Sequence, residues 1–136
     1  MSTSSRRMLA FGEKHLDAYK LLGEKLGKIA NRDQFLLAMC WGFRNGTRVE
    51  DFKRSNTGLR LEYMKPQDEA LLAAIQYYES GDADCLTDLE ARYMIAEQYA
   101  EGGILLLADM MDEPGGFNQA LAGEVKAELD KLALEA

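Results

Sequence analysis

The sequence predicts a mainly α fold: one compact domain of about five helices with one or two short strands. Three observations carry that prediction. Only two prolines, Pro66 and Pro114, occur in 136 residues, and proline is the residue that most strongly interrupts helices. Apolar residues recur at three- and four-residue spacing through most of the chain. Glycine and asparagine cluster between those runs, where turns belong. The length suits a single domain with a real core, and the 47% hydrophobic content suits a globular one.

Residues 1–5 are small and polar and are expected to be disordered, leaving 6–136 as the domain. Residues 6–11 read as a short strand. From Glu13 the pattern turns helical, with Leu16, Tyr19 and Leu26 on one face and Gly27 as its end. Asn31 reads as an N-cap, with Gln34 three residues on as in a capping box. The helix it opens runs to Arg44, and Asn45-Gly46 closes it. Residues 47–58 lack helical period and read as a polar surface loop. In 59–64, Leu59, Leu61 and Tyr63 alternate with Arg60, Glu62 and Met64, which predicts a strand with one buried face.

Pro66 ends that strand. A helix follows over 67–80, with Asp68 and Glu69 at its positive end. Ser80-Gly81-Asp82 breaks the chain. Thr87 and Glu90 form a second capping box, ahead of the face made by Leu89, Tyr93, Ala96 and Ala100. Gly102-Gly103 either divides this helix or marks a close approach of another backbone. Residues 104–111 are apolar on most sides and should be deeply buried. Pro114-Gly115-Gly116 is a stop, and a last helix over 118–134 places Leu121, Val125, Leu129 and Leu132 on one stripe.

Charge is divided along the chain. Residues 1–65 hold 13 Lys/Arg against 7 Asp/Glu, a balance of +6, while 66–136 hold 3 against 16, a balance of −13. A basic half suits phosphate or an acidic partner, and an acidic half repels nucleic acid or docks onto a basic protein. The alternative is two solvated faces that partly cancel within one fold. The densest basic stretch is 44–65. Its candidate DNA- or partner-binding residues are Arg44, Arg48, Lys53, Arg54 and Arg60, with Trp41 beside them as an aromatic anchor.

Catalytic and cofactor chemistry finds little footing. His15 is the single histidine and reads as an exposed helix residue; no sequence neighbour makes it a nucleophile's base. Two dispersed cysteines and one histidine do not form a zinc pattern. Asp82, Asp84 and Asp88 lack EF-hand spacing and read as a solvated loop. No phosphate-cradling glycine motif is present. No cofactor and no metal are therefore expected, and the chain reads as a non-enzyme. Cys40 and Cys85 read as free thiols, which with the lack of a long apolar run points to the cytoplasm and away from membranes.

A resemblance adds context. The segments Gly42-Phe43-Arg44-Asn45-Gly46 and Ala100-Glu101-Gly102-Gly103-Ile104, within a similarity covering roughly residues 7–112, resemble the Dnd-system-associated protein 4 family. These accessory proteins are encoded beside bacterial DNA phosphorothioation systems. The resemblance implies an accessory or adaptor subunit of a DNA modification-restriction system active against phage. It would bind a larger protein of that system, with double-stranded DNA as a second candidate ligand and a homo-oligomer allowed. The rival reading is a stand-alone DNA-binding regulator. A strand at 6–11 followed by helices at 13–27 and 31–44 is the order of a ribbon-helix-helix unit, which dimerises through its strand and lays it in the major groove.

Overall fold

The computed structural model describes residues 6–112 and 116–135. Its elements are β1 (Met8–Gly12), α1 (Leu16–Lys25), α2 (Asn31–Arg44), β2 (Arg54–Arg60), α3 (Pro66–Ser80), α4 (Leu89–Met111) and α5 (Phe117–Glu135). This is the expected mainly α fold of five helices and a small two-stranded sheet. The segment 1–5 and the stop at Pro114-Gly115 lie outside the described residues.

α4 is the axis. Its 23 residues include a buried run from Ala96 to Ile104, and α2 packs against it more extensively than any other pair of elements. Small residues make that approach. A Cβ on Gly103 would overlap the Ala38 carbonyl, and one on Gly42 would overlap the Tyr99 carbonyl. Gly102 faces the Thr47 carbonyl with equally little room. The glycine pair therefore marks a close backbone approach, and α4 passes through it unbroken. Phe35, Ala38 and Met39 of α2 and Ile104 and Leu107 of α4 are fully buried. The expectation of deep burial over 104–111 holds only for one face, because Leu105 is 39% exposed and Asp109 is exposed.

The ribbon differs from the sequence reading. β2 covers 54–60 rather than 59–64, so the expected loop shortens to 47–53, and Leu61–Tyr63 form a 3-10 turn. β2 pairs antiparallel with β1, Leu9 opposite Leu59 and Ala10 opposite Gly58, with an irregularity between Ala10 and Gly12. Ser55 to Gly58 show no apolar alternation because most of this stretch is exposed or half-buried. Gly58 is held by the ladder, and the Ser55 hydroxyl donates to the Phe11 carbonyl (2.8 Å) across the irregularity. Tyr63 is left 63% exposed, against the expected burial.

The same ribbon answers the ribbon-helix-helix reading. The order strand–helix–helix is present, yet β1 pairs within the chain. Leu9, Ala10 and Phe11 are buried, and the Ala10 N–H donates to the Glu97 carboxylate (2.8 Å). A strand enclosed in this way is not presented to a second copy or to a DNA groove.

Local chemistry explains the helix ends. Neither expected capping box forms. α2 begins one residue early, so Asn31 is its first helical residue and its side chain reaches to the Gly58 carbonyl (3.4 Å). Asp88, not Thr87, caps α4 by accepting from the Ala91 N–H (3.1 Å), while Glu90 pairs with Arg6 (2.9 Å). Pro66 opens α3, and Asp68 accepts from the Lys65 N–H (3.0 Å). Asp68 also takes both Nε and a terminal nitrogen of Arg32 (2.8 and 2.6 Å), fixing the start of α3 against the start of α2. That pairing holds the Asp68 carboxyl below its ordinary range. Gly46 and Gly81 take the positive φ needed just past α2 and α3.

α5 returns to the core through Phe117, which is buried, and Leu121, which is half-buried. Beyond them its stripe faces solvent.

Gly103→Ala inserts a methyl where a carbonyl already sits and is expected to destabilise the fold by about 1–3 kcal/mol or more. Gly123, on α5, has open space around its Cβ position. Gly123→Ala is expected to stabilise by up to ~1 kcal/mol through helix propensity. Urea denaturation of the two variants beside the wild type checks both signs.

Candidate functional site: an arginine–glutamate seam

The basic residues of the first half fold onto the acidic second half. Arg44 bridges Glu124 (3.3 Å) and Glu128 (2.7 Å) of α5, and its guanidinium lies 5.0 Å over the Trp41 ring. Arg48 donates to Gln98 (2.7 Å) and lies 3.5 Å from Glu79. Lys53 stands 3.3 Å from Glu13, and Arg60 stands 3.5 Å from Glu62. Arg54 donates from its Nε to Glu97 (3.0 Å). Each of the five candidate basic residues thus faces a carboxylate of its own chain. They do not form one patch. Arg44 and Trp41 sit beside α5, Arg48 beside α3 and α4, and Arg60 at the far end of the ribbon.

The loop over 47–53 is correspondingly held. The Val49 N–H donates to the Gln98 carbonyl (3.0 Å), the Gln98 amide to the Glu50 carbonyl (3.3 Å), and the Glu13 N–H to the Lys53 carbonyl (2.8 Å).

Glu97 is the hub that the sequence reading missed. Its side chain is 2% exposed and accepts from Arg6 (2.5 Å), Arg54 and the Ala10 N–H. Two guanidiniums and one amide satisfy a carboxylate that would otherwise be costly to bury. One turn on, Glu101 lies equally deep but unsatisfied. Neither of its carboxyl oxygens has a hydrogen-bond partner among the described residues. His15 Nε2 is 3.4 Å away, and the carboxyl presses on Gly12, where a Cβ would overlap it. A cleft of about 310 Å³, lined by His15, Asp51, Phe52 and Leu105, lies alongside. Burial pushes the Glu101 carboxyl up to about 7, against the smaller opposing pull of Lys14. Burial, with Lys14, pushes the half-buried His15 down, so the exposed histidine read from sequence is corrected. The signal was present: two acids four apart, on the face of the most apolar helix.

Among the described residues no group of three or more metal-ligating side chains comes together. Cys40 and Cys85 are free and half-buried, as read from the sequence. No helix among the described residues is long and apolar enough to cross a membrane.

Fold and site together define a small, mainly helical protein whose two oppositely charged halves are closed onto each other by a buried carboxylate–guanidinium seam. The chain belongs to the DNA sulphur modification system-associated protein 4 family, whose model matches residues 28–133. The match starts beyond β1 and α1 and runs into α5, so it covers residues 28–112 of the 7–112 span read from the sequence and extends it through most of α5. Comparison with curated proteins and with solved structures gave no match.

Glu97→Ala leaves Arg6 and Arg54 without their shared partner and the Ala10 N–H unpaired. It is expected to destabilise by about 3–5 kcal/mol, whereas Arg60→Ala should leave the denaturation midpoint unchanged. Glu101 carries a pH dependence of defined sign. Its folded pKa, about 7, lies above the ordinary 4.5. Its contribution is therefore fully present below pH 4.5 and is lost as pH rises through 7. His15 acts oppositely, losing stability as pH falls. Glu101→Gln should flatten the curve between pH 4.5 and 8 and exceed the wild type at pH 8, as read by thermal denaturation across that range.

Proposed function

We propose that the chain is a non-enzymatic accessory subunit of a bacterial DNA sulphur modification-restriction system, acting against phage in the cytoplasm by binding a larger protein of that system. Membership of the family supplies the context. One observation favours a protein partner over DNA: every basic residue of the 44–60 stretch already faces a carboxylate of its own chain. With those charges matched internally, the net charge of −7 dominates at long range. It opposes a polyanion, whose affinity for a protein rests on unneutralised lysine and arginine. Double-stranded DNA is then reached through the partner rather than by this chain.

Two measurements test the reading. Tagged protein recovered from its native host after nuclease treatment is expected to retain a protein of the DNA sulphur modification system. Purified alone, it should bind a labelled duplex only weakly at about 150 mM salt. Tight, salt-sensitive duplex binding with every protein partner lost to nuclease would replace the subunit reading with direct DNA binding.

A further inference from the structure

α5 is built differently from the other helices. Its first turn is anchored by buried Phe117, and Arg44 holds it from one side through Glu124 and Glu128. That grip fixes the rotation of the helix. Val125, Leu129 and Leu132 then stand 48%, 60% and 58% exposed along one stripe that begins at half-buried Leu121. Exposed aliphatic residues on the earlier helices are single and at most about 40% exposed, as at Leu21, Leu71 and Leu105. Isolated cases of that kind are ordinary, but a contiguous stripe marks a binding surface. The polar side of α5 is complete in itself, with Lys126 paired to Asp130 (3.0 Å).

We infer that this stripe is the docking surface of the chain, inserted as a helix into an apolar groove of a partner protein bordered by lysine or arginine side chains. The inference rests on the accessory-subunit reading and names its surface. The 4-4-3 spacing of Leu121, Val125, Leu129 and Leu132 is that of helix-in-groove anchors. The choice of occupant comes from charge. Glu124 and Glu128 flank the stripe as two carboxylates against the single Arg44 they share, Asp109 and Asp112 lie exposed at the end of α4 just before α5, and residues 66–136 carry a balance of −13. A second copy would bring two such acidic faces and two chains of net charge −7 together. A basic border around the groove meets the same groups with opposite sign.

The test uses the full chain and the double variant Leu129→Glu/Leu132→Glu. Both sites are exposed, so circular dichroism should show an unchanged fold. Each protein of the host's DNA sulphur modification system is expressed singly, nuclease-treated and titrated with either form. The wild type is expected to bind one of them, more weakly at about 0.5 M salt, and the double variant at least about tenfold more weakly than the wild type. Equal binding by both forms would overturn the docking surface and leave the subunit reading intact. Binding of none by the wild type would remove both. A wild-type dimer in sedimentation that the double variant converts to monomer would assign the stripe to a second copy instead.

Discussion

Two glycines allow α2 and α4 to meet backbone against backbone, and most of the molecule is arranged around that contact. With Gly42 against the Tyr99 carbonyl and Gly103 against the Ala38 carbonyl, the helices lie closer than any side chain permits. The next turn of α4 then presents Gln98 to the segment leaving α2, which it fastens. One residue earlier, Glu97 is turned toward the ribbon. Two helices at ordinary spacing would leave Glu97 short of β1, and the seam would have no centre.

The seam also explains what the divided charge is for within this fold. A strongly basic first half and a strongly acidic second half would each repel themselves if extended. Folded together, they supply an attraction that draws the ribbon onto α4 and draws α2 onto α3 and α5. At Glu97 two guanidiniums and the Ala10 N–H offset the desolvation of a buried charge. Glu101, four residues on, lacks such partners, and burial pushes its carboxyl up to about 7. The two acids lie one turn apart on the same helix and differ only in what the ribbon offers them.

The five helices were legible because their apolar spacing is regular and their ends carry Asn45-Gly46, Pro66 and Gly81. β2 was misplaced because the eye follows side-chain alternation. Arg54 to Gly58 join the sheet through backbone pairing at Arg54 and Gly58 and through Arg54 and Ser55 side chains that donate to β1 carbonyls, none of which leaves an alternating pattern. The capping boxes failed by a single residue each: Asp88 outcompetes Thr87 as the cap, and Asn31 is drawn to the ribbon. The basic residues were recognised as important, but as a surface for a partner. The partners of Arg44, Arg48 and Arg54 are 31 to 84 positions away along the chain, and no local reading pairs residues across such distances. Glu97 and Glu101 stood in view, hidden only by the assumption that acids lie outside.

Those separations have a consequence for how the protein is made. β1 precedes α4 in the chain, yet its edge is completed by Glu97, 87 residues later than Ala10, and Arg6 waits 91 residues for the same carboxylate. Contacts of such long range form slowly, because the loops between them must close before any contact rewards it. Until α4 has emerged, β1 has β2 on one side but its other edge is open, the kind of segment that other chains capture. The ribbon thus stays uncovered until α4 is made, although both its strands precede that helix in the chain.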